Sequence, residues 1–360
     1  MIRRWLPLWT WLAPLLGAAL LAAVLAGLHH PALLAALGLA VIACVLSAVH
    51  HAEIIAHRVG QPLGSLLLAL AVTVIEVSLI TELMLANPQE TSALPRDAVF
   101  AVVMIAVNGM VGLCLILGGS RHREQAFVLH GVSAALATLA TLSVLVLVLP
   151  NATISAPGPY YSSSHLAFVG VVSLVLYLVF AFVQTVRHPD HFMFAADEGA
   201  DEAHSAKPAN LATSLAVLLL LPSLGVVVLG AEELAPSIER GIHAMGAPPA
   251  VLGVIVSLIV MAPESIAALR AAFADRLQTS LNLTLGSALA SIGLTIPTVA
   301  ALSLLNGWPL ALGLDLREMI LLLLSLIVAT LSLGTGRTTV LQGAVHLVIF
   351  AAYLFTTVVP

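Results

Sequence analysis

Two acidic residues stand where acids are costly. Glu76 lies well inside the apolar run Leu63 to Glu82 (LGSLLLALAVTVIEVSLITE), and Glu264 inside Val251 to Leu269 (VLGVIVSLIVMAPESIAAL). The other acidic residues fall in polar breaks or near the ends of apolar runs. A charged side chain in hydrocarbon costs at least about 2.5–3.5 kcal/mol. Two carboxylates close together in such a medium repel, resist ionisation and hold protons. A divalent cation supplies the missing charge, and calcium takes about six to eight oxygens at about 2.3–2.6 Å. Cation and proton then compete for the same oxygens, and alternating access to such a site is cation/proton antiport. The bland account is a protonated glutamate that ties helices together; it explains one isolated glutamate better than two at matched places.

Oxygen-bearing residues surround both acids in sequence. Thr73 and Ser78 flank Glu76, and Ser265 follows Glu264. The next spans carry Asn108 in one case and Asn282, Ser287 and Ser291 in the other. Pro263 removes a backbone donor just before Glu264 and frees a carbonyl one turn earlier. The alternative for these small residues is close helix packing. His50, Glu53 and His57 share one helix face by their spacing. They read either as a polar, interfacial helix end or as a path by which protons or cations reach the Glu76 region. They match neither an HExxH motif nor a paired ExxH set, so a resident metal centre is not expected. His346 reads as a core histidine with a local partner, and Cys44 and Cys114 as small buried hydrophobes.

The elements that must position these residues are membrane helices. The chain has 360 residues, 60% hydrophobic and 9% charged, against about 25% charged in soluble domains. Its mean hydropathy is +1.09. Apolar runs near 20 residues predict eleven spans, roughly 8–28, 32–52, 61–86, 97–119, 126–149, 165–186, 209–231, 248–271, 280–305, 313–334 and 337–358. The first reads as an anchor, being too long for a signal peptide and lacking a clear cleavage site. With the N-terminus inside, ten Lys and Arg residues fall on the cytoplasmic side and three on the other, and the C-terminus lies outside. Glu76 and Glu264 then ride on oppositely directed helices, the mark of inverted-topology repeats with a midplane site. The expected fold is all-α and polytopic. It divides into N-terminal transmembrane helices (1–52), a first half with one repeat (53–186), an acidic and histidine-rich cytoplasmic linker (187–210) and a second half with the other repeat (211–360).

The stretches Val49 to Glu82 and Val251 to Pro297 (VLGVIVSLIVMAPESIAALRAAFADRLQTSLNLTLGSALASIGLTIP) resemble the paired repeats of ChaA-type calcium/proton antiporters. These form part of the cation/proton exchanger branch of the calcium/cation antiporter superfamily. The resemblance implies that Glu76 and Glu264 bind calcium and exchange protons, with Asn108 and Ser287 as further ligands from the following helices. The wider branch often has Gly-Asn a few residues before the glutamate, whereas Val72-Thr73 and Val260-Met261 stand here.

The expectation is therefore a multi-pass bacterial inner-membrane Ca²⁺/H⁺ antiporter, not an enzyme. It would have no cofactor, its cargo being Ca²⁺ and H⁺, and its partners would be membrane lipid and inorganic cations, with no nucleic acid; homo-oligomerisation stays open. A monovalent Na⁺ or K⁺/H⁺ antiporter using the same site is the alternative. An intramembrane metal-dependent hydrolase using His50, Glu53 and His57 is the remote one, since it needs more ligands than the spacing supplies.

Overall fold

A computed structural model describes residues 5–59, 63–86, 89, 91–192, 208–246, 248 and 250–359. The chain is all-α, and among the described residues eleven long helical segments stand where the apolar runs predict them. They are α1 (Leu8–Leu25), α2 (Pro31–Val59), α3 (Leu63–Ala86), α4 (Leu94–His122), α5 (Leu129–Ala152), α6 (Ser163–Arg187), α7 (Asn210–Met245), α8 (Ala250–Phe273), α9 (Leu277–Asn306), α10 (Leu316–Leu333) and α11 (Val340–Val358). Among the described residues nine of these are long and apolar enough to cross a membrane, and α8 makes a tenth if its two bent arms count as one span. The acidic and histidine-rich linker lies mostly, over 193–207, outside the described residues.

Helix α7 outruns its apolar stretch. It continues past 231 to Met245, through Pro236, so Glu232, Glu233 and Arg240 ride on the helix. Arg240 Nε takes up the Pro236 carbonyl at 3.0 Å.

Packing groups the chain into two units that cut across the sequence halves. One holds residues 1–91 and 206–247, the other 92–205 and 248–360. In the first, α2 packs on α1, α3 and α7. Cys44, Ser47 and His51, spaced to share a face, meet the α1 backbone: Cys44 Sγ and Ser47 Oγ donate to the carbonyls of Ala13 and Thr10, and His51 Nε2 lies 3.1 Å from Thr10 O. Both cysteines are free and buried, as expected.

In the second unit α4 is 89% buried along its most apolar window and forms the axis. Helix α8 crosses it closely. A Cβ added at Gly253 would sit 2.9 Å from Ala98 N, and Ser257 Oγ donates to Ala98 O at 2.9 Å. Arg96 bridges Asp97 at 2.7 Å and donates to Gly313 O. A two-residue strand pair, Gln125–Ala126 with Arg337–Thr338, joins the α4–α5 and α10–α11 loops.

Helices α4 and α9 each contain a π-helical turn, at Ile105–Met110 and Ser291–Thr295. Each π turn touches the regular part of the other helix. Such turns displace the hydrogen-bond ladder and recur at functional sites.

Candidate functional site

Glu76 sits on the buried face of α3 and is 3% exposed; Thr73, Ile80 and Leu83 share that face at helical spacing, while Val74 and Leu85 point outward. Ser78 projects about 200° round the helix from Glu76, at 100° per residue. Helical spacing thus keeps Thr73 near Glu76 and puts Ser78, half-buried, on another face.

Glu264 owes its position to a bend. The two arms of α8, Ala250–Ala262 and Glu264–Phe273, meet at 58° across Pro263. A proline has no N–H to give the helical ladder, and sharp breaks of this kind occur at such residues. Glu264 opens the second arm, half-buried, and its Oε2 accepts a hydrogen bond from Ser287 Oγ of α9 at 2.5 Å. Ser265 adjoins it, also half-buried. The structure brings the sequence-predicted pair Glu264 and Ser287 together. Ser291 lies one turn further along α9, 5% exposed, where the π turn begins.

Asn108 and Asn282 are engaged elsewhere in the unit. Asn108, in the π turn of α4, donates to Ser325 Oγ of α10 at 2.8 Å, and its Oδ1 lies 3.2 Å from His346 Nδ1 of α11. His346 is fully buried and its Nε2 pairs with Ser332 Oγ at 2.7 Å, so it is a core histidine with local partners, as expected. Asn282 Nδ2 donates to Phe192 O while its Oδ1 accepts from Gln278, fastening the exit of α6 to α9. His50, Glu53 and His57 lie on the last turns of α2. His50 Nε2 is 2.8 Å from Trp5 O and its Nδ1 is 3.8 Å from Glu53; His57 faces the Trp5 ring. Among the described residues no three His, Cys, Asp or Glu converge as a metal centre.

One neighbour of Glu264 escaped the sequence reading. Tyr177 of α6 is 6% exposed and packs against Gly293 in the π turn of α9, which opens at Ser291, one helical turn from the Ser287 that bonds Glu264. Nothing distinguishes it in sequence from an ordinary aromatic in an apolar span.

A charge-assisted hydrogen bond contributes about 1.5–3 kcal/mol. Ser287→Ala is therefore expected to raise the cation concentration for half-maximal flux by roughly tenfold or more. Unchanged half-saturation in a flux titration would count against Ser287 as a partner of the working carboxylate.

Apolar helices long enough to cross a membrane, one of them broken where it carries a carboxylate, point to a class, the multi-pass membrane transporters that move ions. Comparison with known proteins narrows it. The sodium/calcium exchanger protein family matches residues 29–186 and 215–359, most of the chain, and the chain belongs to that family as a ChaA-type cation/proton exchanger. An ionic transporter of Sinorhizobium fredii is 48% identical over 98% of this chain and 97% of its own length. The sodium-potassium/proton antiporter ChaA of Escherichia coli is 36% identical over 84% and 82%. The Ca²⁺/H⁺ antiporter of Aphanothece halophytica is 26% identical over 74% and 77%. Among solved structures, native YfkE superposes with a TM-score of 0.75 over 98% of this chain and all of its own, at 17% identity. The H⁺/Ca²⁺ exchanger CAX gives 0.70 over 96% and 88%, at 15% identity. At those identities the likeness is one of fold.

Proposed function

We propose that the protein is a Ca²⁺/H⁺ antiporter of the bacterial inner membrane, with the N-terminus cytoplasmic and the C-terminus outside, and that Glu76 and Glu264 are carboxylate ligands for the transported ion. The observation that carries this reading is Glu264 itself. Its carboxyl group is placed at a break in an apolar helix and is bonded by the hydroxyl of a neighbouring helix. A carboxyl group in that setting holds a proton when no cation is near and yields it when a cation arrives. Exchange follows if the protonated and cation-bound forms open to opposite sides. A doubly charged ion supplies the counter-charge that two carboxylates need, and the oxygens of Glu264, Ser287 and Ser291 suit a hard cation. No resident cofactor is required, because the ion gradient drives transport.

Monovalent exchange is the second reading. It is favoured by the likeness to a sodium-potassium/proton antiporter and by Val72-Thr73 and Val260-Met261, which leave fewer amide oxygens near the acids. Purified protein in liposomes with an internal pH dye separates the two. CaCl₂ is expected to drive proton movement at lower concentration than NaCl or KCl. A response to NaCl or KCl alone would select the second reading, and no response to any of the three would end both.

A further inference from the structure

Buried serine and threonine hydroxyls in helices usually bond the carbonyl one turn back, as Ser223, Thr284 and Thr357 do here. Ser143 of α5, Ser173 of α6 and Thr295 of α9 do not. All three are fully buried, and their hydroxyl oxygens find no hydrogen-bond partner among the described residues. An apolar helix interior gives no ready reason to keep three such groups.

They stand at one level. Val128 N at the start of α5 donates to Gln278 Oε1 at the start of α9, and α5 stays in contact with α9 as far as the π turn. The two helices therefore run side by side in one direction, and equal advance along both sets Ser143 level with Gly293. Helix α6 runs the other way. Its Gly170 lies against Pro297 and Ala300, and its Tyr177 against Gly293. Ser173, between Gly170 and Tyr177, is then level with Thr295. Helices α5, α6 and α9 all pack on one another. From this level the row Thr295, Ser291, Ser287 steps down α9 at four-residue intervals to the Glu264 carboxylate.

We propose that Ser143, Ser173 and Thr295 line a chamber that takes up water and passes protons to and from Glu264 along the Thr295–Ser291–Ser287 row. Three hydroxyls fall within the two to four polar partners a buried water takes. In the release step the Glu264 O–H bond breaks and an O–H bond forms on a water. Hydrogen-bonded exchange then carries the proton towards the end of the unit where α5 and α9 finish, and the carboxylate is left free for a cation. The inference rests on the antiport reading and adds the route of its proton.

The test compares hydroxyl-deleting with hydroxyl-keeping variants in liposomes. Ser173→Ala, Thr295→Val and the triple variant with Ser143→Ala are expected to slow maximal proton flux about fivefold or more, with half-saturating cation within about twofold, a rate-only signature. Ser173→Thr and Thr295→Ser are expected to keep flux within about twofold of the wild type. Since the deleted hydroxyls bond nothing among the described residues, the deleting variants should melt no lower than the parent. The chamber is overturned by a triple variant at wild-type speed, by Thr295→Ser falling as far as Thr295→Val, or by lowered melting in all the single variants, which would make the hydroxyls props of the fold. Wild-type protein inactive with every cation would instead remove the antiport reading itself.

Discussion

Glu264→Gln and, separately, Glu76→Gln are expected to cut cation-driven proton exchange by at least about 100-fold, a loss of roughly 2.7 kcal/mol or more at 1.36 kcal/mol per tenfold. Glutamine keeps the size of the side chain and an oxygen that still accepts from Ser287. The substitution therefore removes the proton and the charge while sparing the packing. A pure tie between helices would survive it, because an amide hydrogen-bonds as well as a protonated acid does. Glu264→Asp keeps the charge on a shorter stem, withdraws it from Ser287, and is expected to retain partial exchange with weaker cation binding. Glu124, half exposed and 3.4 Å from Arg337 on the surface, serves as the control, and Glu124→Gln should exchange like the parent. Everted vesicles with a pH dye and matched protein content read all four. Exchange that persisted in both glutamine variants would remove the two glutamates from the mechanism.

What could be read from sequence was the membrane helices and the depth of two acids, because both follow from local composition. An apolar run must cross hydrocarbon, and an acid within one must have a reason to be there. The joining of Glu264 to Ser287 was also within reach, since the two spans are consecutive and a proline precedes the acid. The engagement of Asn108 was not. Its partners Ser325 and His346 lie more than two hundred residues beyond it, and nothing in a serine or histidine of an apolar span marks whom it will meet. The π turns are likewise silent, because Ile105–Met110 and Ser291–Thr295 contain residues that serve equally in an α-helix; tertiary packing decides between them. Helix α7 outran its apolar stretch for a related reason. Hydropathy marks where a helix leaves the bilayer, not where its hydrogen bonding stops.

The second large effect is expected at Gly293, where α6 presses on the π turn of α9. A Cβ added there would lie 2.4 Å from Tyr177 Cβ and 2.8 Å from Tyr177 Cγ, whereas carbon atoms rest at about 3.5–4.0 Å. The near atom, Tyr177 Cβ, is fixed to its backbone, so no rotamer change relieves the overlap and the helices must part by about 1 Å. Overpacking of this kind costs about 1–3 kcal/mol. Here it also moves the turn that opens with Ser291, one helical turn from the hydroxyl that bonds Glu264. Gly293→Ala is thus expected to lower the melting temperature by several degrees and to slow exchange by about tenfold, the rate equivalent of 1.4 kcal/mol. Gly286, two turns earlier on the same helix, has open space where its Cβ would go. Gly286→Ala replaces the poorer helix former and should hold or raise stability by up to about 1 kcal/mol. Thermal unfolding of the two variants in one detergent isolates the contact from any general effect of adding a methyl group to α9. Gly293→Ala melting at or above Gly286→Ala would mean that α6 does not bear on the π turn, and Tyr177 would lose its place beside the Glu264 site.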